Sequence, residues 1–231
     1  MATSDNTTPH KAVEYDKSVR QTIPFYETIQ SETVDLVRTI KPEVNCWLDT
    51  GCGTGYLVEI AMPYFPQTSF ILTDPSAPML NQAMSRLKGL PEKRVKYLAP
   101  TPSESLNSYK NEIHPQVITA ILCHHYLQKD QRYSATQICY QLLDKDGVFI
   151  TVENISPDTQ YGIASGLDRW KRFQVEQGRA QSVVEEHAKR FNSGYFPIAI
   201  ENHLSLLRET GFKSVNLFWL SYMQAGFYGI K

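Results

Sequence analysis

The chain has 231 residues with 23 basic and 24 acidic side chains, a net charge of -1 with the histidines neutral. That length suits one large α/β core, and the balanced charge offers no broad pull on a nucleic-acid backbone. Cysteines at 46, 52, 123 and 139 show neither a CxxC pair nor metal-ligand spacing, which argues against a disulfide scaffold or a metal site and for a reduced, cytoplasmic protein.

Residues 1–12, MATSDNTTPHKA, lack the apolar core of a signal peptide, and nowhere do eighteen apolar residues follow one another, so an unexported protein that avoids the membrane is expected. The same twelve residues are expected to be a disordered tail, with 13–231 forming a single domain. Within it, 13–40 carries "YDKSVRQTIPFYETIQ" and forms an N-terminal helical cap. Short apolar runs at 46–49, 69–73, 95–98, 117–123 and 148–153 read as strands. Between them, apolar residues recur at helical spacing: Leu57, Ile60, Ala61 and Tyr64, then Leu80, Ala83, Met84 and Leu87, then Ala135, Ile138, Cys139 and Leu142. A polar helical insertion over 156–195 is broken near Gly178 and again around 192–194. The last helix, with Ile200, His203, Leu204 and Leu207, stops at Gly211, and "SVNLFWLSYMQAGFYGIK" then reads as a β-hairpin. The expected fold is α/β: a Rossmann-like, seven-stranded, mostly parallel sheet with an antiparallel C-terminal hairpin and helices on both faces.

"LDTGCGTGYL" places Gly51, Gly53 and Gly55 behind the first strand in a G-x-G-x-G spacing, which departs from the G-x-G-x-x-G of dinucleotide sites. Glycines there let a ligand approach the backbone, and the following helix offers free N–H groups. Asp49 would repel a pyrophosphate but favour an ammonium or sulfonium. Asp74, ending "FILTD" about twenty residues on, is placed to accept ribose hydroxyls. Both acids together point to a nucleoside with a cationic amino-acid tail.

The run "LDTGCGTGYL", the acid of "LTDPSAPML" and the terminal hairpin resemble the class I S-adenosylmethionine-dependent methyltransferases over roughly 40–155 and 196–231. The resemblance implies S-adenosyl-L-methionine as cofactor, with its methionine tail at the glycine loop and its ribose at Asp74. The expected cofactor set is Asp49, Gly51, Cys52, Gly53, Gly55, Asp74 and Pro75, with Met79 at the adenine face or in the core. After the third strand, Thr101, Ser103 and Glu104 are candidates for the adenine amino group, and Ser103 is taken into the set. At the end of the fourth strand, "ILCHHYLQ", His124 is a candidate cofactor contact and His125 a candidate general base, each also open to a packing role. Strand alternation would aim only one of the two rings at the pocket.

"RQTIPFYETI" and "FWLSYMQAGFYGIK" are similar to segments of the carboxy-S-adenosylmethionine synthase branch, which works in wobble-uridine modification of tRNA. That resemblance implies a cofactor contact for Tyr26 and sets His124 at the position of a cofactor-binding asparagine. It also sets Leu206 where the branch carries an arginine for an extra carboxylate, so ordinary S-adenosylmethionine and methyl transfer are expected, with a small-molecule acceptor. A tRNA-modifying relative, a non-catalytic nucleotide-binding module and a nicotinamide-dependent oxidoreductase are the alternatives, and a homodimer is compatible with the sequence. In the insertion, Trp170 and Phe173 read as anchors or as a lid. Arg169, Lys171, Arg172 and Arg179 read as a solvated face or a site for an anionic acceptor.

Overall fold

The computed structural model describes residues 8–91 and 93–231. Behind a 3₁₀ turn at Ala12–Glu14, the cap consists of α1 (Tyr15–Thr22) and α2 (Tyr26–Ile40). There follow β1 (Cys46–Thr50), α3 (Tyr56–Ala61), β2 (Ser69–Thr73), α4 (Ala77–Arg86) and β3 (Val95–Tyr97), then β4 (Val117–Ile121), α5 (Lys129–Leu142) and β5 (Val148–Asn154). The 156–195 region holds α6 (Gln160–Glu176) and α7 (Gln181–Lys189), separated at Gly178, where φ is +85°. Helix α8 (Ile200–Thr210) ends at Gly211, whose φ of +114° only glycine adopts readily, and β6 (Ser214–Ser221) and β7 (Gln224–Ile230) close the chain. Residues 1–7 of the expected tail lie outside the described residues. Residues 8–12 lie against α1, with Ala12 buried and the His10 Nε2 atom 3.2 Å from Thr22 Oγ1.

Among the described residues the seven strands form one sheet in the order β3-β2-β1-β4-β5-β7-β6, with β1 to β5 parallel and β7 antiparallel to both β5 and β6. Side-chain alternation along the strands splits the core in two. Trp47, Phe70 and Leu72 face α2, α3 and α4, whereas Leu48, Ile71, Ile118 and Phe149 face α5 and α8. Both faces are covered, which is why these strands read as continuous apolar runs. The strand order reverses at β1, which pairs with both β2 and β4. A crevice therefore opens at the carboxyl ends of β1 and β4, where sheets of this kind take ligands.

The strand expected over 117–123 stops at Ile121. Leu122 adopts a left-handed φ of +57°, and His124–Tyr126 is a 3₁₀ turn. The amides of His124 and His125 donate to the Glu153 carboxylate at 3.2 and 2.7 Å instead of to a neighbouring strand. The two imidazoles are therefore separated by a turn, not by the pleat of a strand.

A third cluster joins cap and insertion: Ile29, Trp170, Tyr195 and Met223 pack together, and Trp170 Nε1 donates to the Thr22 carbonyl at 2.6 Å. Trp170 thus anchors α6 to α1. Trp170→Ala should lower the unfolding free energy by about 3–5 kcal/mol through the lost ring volume. Trp170→Phe should cost about 1–2 kcal/mol through the unpaired carbonyl. Urea unfolding of the two variants measures the ordering.

Candidate active site

Three left-handed residues make the turn from β1 into α3: φ is +63° at Gly51, +54° at Gly53 and +75° at Gly55. A side chain is excluded at each for a different reason. A Cβ at Gly51 would lie 2.7 Å from the Cβ and Sγ atoms of Cys123, and one at Gly55 would press on Ala83 of α4 at 3.1 Å. At Gly53 the only neighbour within reach among the described residues is a Tyr15 ring carbon at 3.9 Å, so this glycine is bare toward the cavity. The loop is pinned to the end of β2: Cys52 N donates to the Thr73 carbonyl at 3.0 Å and Gly53 N to Asp74 Oδ2 at 3.0 Å. Asp74 Oδ1 accepts the Ser76 amide at 2.8 Å. Each carboxylate oxygen keeps a lone pair for a further donor.

A cavity of about 260 Å³ lies over this loop. Of the sequence candidates it collects Gly51, Gly53, Asp74, Pro75, Met79, Ser103, Glu104 and His124. Ser103 Oγ lies 2.8 Å from Thr50 Oγ1, while Glu104 Oε2 and His124 Nε2 are buried with no hydrogen-bond partner among the described residues. Burial takes His124 down to about 4, opposed by the charge of Glu153, so the ring is neutral at neutral pH. A smaller cavity of about 30 Å³ takes Tyr26, Asp49 and Cys52 together with Gly51 and Gly53. His125 lines a third, of about 20 Å³, on the side of the N-terminal cap. Gly55 and Thr101 line none of the three: Gly55 packs on α4, and Thr101 Oγ1 donates to the Ala99 carbonyl at 2.8 Å. Leu206 lines a groove beside α5, away from these cavities, and Arg208 pairs with Glu201 at 3.0 Å.

Asp49 is buried and receives the Thr119 hydroxyl at 2.7 Å, and no lysine or arginine pairs with it among the described residues. Burial raises its pKa to about 7 against that hydrogen bond, with the nearby charge of Asp74 adding to the rise. Burial also raises Asp74, opposed by its two amide donors. The Cys52 and Cys123 thiols are pushed well up by burial and by the surrounding carboxylates. A bare backbone beside a carboxylate that lacks a counter-charge suits a cationic ligand tail.

Residues 48–149 match the family model described as a methyltransferase domain. The chain belongs to the class I S-adenosylmethionine-dependent methyltransferases. It is 21% identical over 202 residues to a carboxy-S-adenosyl-L-methionine synthase of Trichodesmium erythraeum, an alignment that covers 87% of this chain and 78% of that protein. An O-methyltransferase family protein from Burkholderia thailandensis superposes with a TM-score of 0.62 at 12% identity, over 88% of this chain and 56% of its own. The plantazolicin methyltransferase BamL, solved with a desmethylplantazolicin analogue and S-adenosylhomocysteine, superposes with a TM-score of 0.61 at 14% identity, over 92% and 71%. In this methyltransferase the seven-stranded, mostly parallel sheet and its antiparallel C-terminal hairpin are those the sequence led one to expect. No helix among the described residues is long and apolar enough to cross a membrane.

Sequence reasoning missed several residues at the site. Leu122 and Tyr126 line the cavity over the glycine loop, Gln30 lines the smaller one with Asp49, and Glu153 lies behind the two histidines. Only the acid of "TVEN" at a strand's carboxyl end carried a signal, since such ends face the crevice.

Two outcomes follow from this geometry. Because the folded pKa of Asp49 lies above the unfolded value of 3.8, the native state holds the extra proton, and this group's contribution to stability falls as pH rises from about 4 to about 7. Asp49→Asn should therefore gain stability relative to wild type between pH 5 and pH 8 in ligand-free urea unfolding. Gly51→Ala should cost more stability than Gly53→Ala, since only the former adds a clash to the left-handed strain of about 1–2 kcal/mol; thermal melts compare them.

Proposed function

We propose that this methyltransferase moves the methyl group of S-adenosyl-L-methionine to a small-molecule acceptor in the cytoplasm. The observation that carries the cofactor placement is the buried Asp49 carboxylate, which lines a cavity behind the glycine loop with no balancing cation among the described residues. An α-amino group there restores the ionised form of Asp49. Gly53 presents bare backbone to the methionine tail, and Tyr26, stacked on Tyr56 with ring centroids 5.8 Å apart, walls that end. Asp74 receives the ribose hydroxyls. Glu104 Oε2, which has no donor among the described residues, receives the adenine amino group, and Pro75 and Met79 flank the ring. His124 Nε2, likewise without a partner among them, completes the nucleoside side.

When bound, the cofactor supplies an activated methyl on a sulfonium. The protein's part is to hold an acceptor in line with it and to keep water out. None of the described residues lining the three cavities is a lysine or arginine, so nothing in them balances an additional carboxylate on the donor. This supports methyl transfer over the chemistry named for the Trichodesmium erythraeum protein. The narrow cavities under the cap favour a small acceptor over tRNA, and four unpaired thiols suit a reducing compartment.

Isothermal titration tests the reading. S-adenosylhomocysteine should bind and NAD should not, and Asp49→Asn or Asp74→Ala should each weaken S-adenosylhomocysteine by roughly 10- to 100-fold, the loss of one charge-assisted hydrogen bond. Since a cation lowers the Asp49 pKa from about 7, binding near pH 7 should release protons, and affinity should fall as pH drops below 7. Binding of NAD in place of S-adenosylhomocysteine would overturn the assignment.

A further inference from the structure

The three cavities meet at two residues: Tyr15 and Leu122 line all of them. With the amino-acid tail beside Asp49 and the nucleoside over Asp74, the sulfur between them falls at that junction, and the third cavity opens onto it. We infer that this third cavity is the acceptor subsite, that His125 is its general base, and that the acceptor is a small aromatic or enolic hydroxyl compound. The inference rests on the cofactor placement proposed above.

His125 is built for this role by Glu153. The imidazole Nδ1 lies 2.8 Å from Glu153 Oε2, and Glu153 also accepts the Thr151 hydroxyl. Burial alone would raise the Glu153 pKa, but its hydrogen bonds, that from His125 first, hold it below the ordinary value. Of the two groups that meet Nδ1, the ionised Glu153 oxygen at 2.8 Å is nearer than the Asn154 amide at 3.3 Å, so the proton sits on Nδ1 toward the carboxylate and Nε2 is left as the basic nitrogen. Glu153 is thus a positioning residue, and the ring it orients lines the third cavity.

The walls select the acceptor. The described residues lining this cavity include no aspartate or glutamate, so an ammonium-bearing acceptor would find no partner. His10 and His187 also line it. Burial, together with the charges of Arg179 and Arg190, lowers His10 to about 4 and His187 to about 3, so both rings are neutral. Burial raises the Tyr126 phenol on the same wall to about 12 against the charge of Arg190, so an acceptor hydroxyl there keeps its proton until a base takes it. Tyr15, Tyr126 and Ile23 supply apolar, largely aromatic surface for a planar ring. The space of about 20 Å³ admits the reacting group. The remainder displaces Thr8 and Pro9, which line the cavity and belong to no helix or strand. In the step itself the hydroxyl proton passes to His125 Nε2 as the acceptor oxygen bonds to the methyl carbon. The S–CH3 bond breaks with its electron pair left on sulfur, and the imidazolium later returns the proton to water.

The test uses 4-nitrophenol as probe and the full chain labelled with ¹⁵N at histidine, with and without saturating S-adenosylhomocysteine. His125 ring signals should show the Nδ1–H tautomer and should shift on addition of the phenol. His125→Gln should lose phenol binding about tenfold or more while holding S-adenosylhomocysteine within about twofold of wild type. Glu153→Gln should scramble the tautomer and weaken phenol binding. Unmoved His125 signals in the wild-type chain at saturating phenol would overturn the proposal without recourse to any variant, as would undiminished phenol binding by His125→Gln. Failure of wild type to bind S-adenosylhomocysteine would strike the cofactor placement instead. The phenol titration without it would still decide the subsite.

Discussion

The buried carboxylate of Glu153 is the constraint on which the site depends. It accepts the amides of His124 and His125, the His125 imidazole and the Thr151 hydroxyl, so its charge is dispersed over four donors in a place where an unpaired anion would be prohibitive. Those same bonds force the chain after β4 out of the sheet, with Leu122 left-handed and the next residues in a tight turn. One imidazole consequently looks onto the nucleoside side and the other onto the cap. Backbone strain concentrated at a cavity junction and held by a buried anion is the kind of local cost that a functional site retains.

The N-terminal cap is tied into the glycine turn as firmly as the sheet is. Thr54 donates its hydroxyl to Asp16 at 2.7 Å, Arg86 Nε donates to the Thr54 carbonyl at 2.9 Å, and the same guanidinium pairs with Asp16 and with Glu59. Helix α1, the loop and α4 are thereby coupled through one arginine. This coupling sets Tyr15, the first residue of α1, over Gly53 and at the meeting point of the cavities. Trp170 extends the coupling to the insertion through the Thr22 carbonyl. The enclosure around the ligand crevice is therefore made of parts far apart in sequence.

That distribution explains what the sequence disclosed and what it withheld. The strands, their crossover helices and the terminal hairpin followed from local periodicity, and the cavity residues Gly51, Gly53 and Asp74 from one strand-to-helix turn and the acid that follows the next strand. These are short-range signals. Helical spacing overreached at Tyr64 and Met84, both exposed, because α3 stops at Ala61 and only one stripe of α4 meets the core. Leu122 reads as strand because nothing in a leucine announces a positive φ. Spacing groups Gly55 with the ligand glycines, although its bare side faces α4. The link between Glu153 and His125 spans 28 residues, a distance at which neither period nor motif speaks.

The two thiols beside the cavities bear on a hazard peculiar to this chemistry. A sulfonium donor alkylates any good nucleophile within reach, and a cysteine thiolate is among the best the protein could offer. Cys52 and Cys123 sit in the walls, yet burial and the adjacent carboxylates hold both as S–H. The acids that suit a cationic donor thus also disarm the neighbouring sulfurs, which leaves a reactive methyl held at close quarters with thiols in place of thiolates beside it.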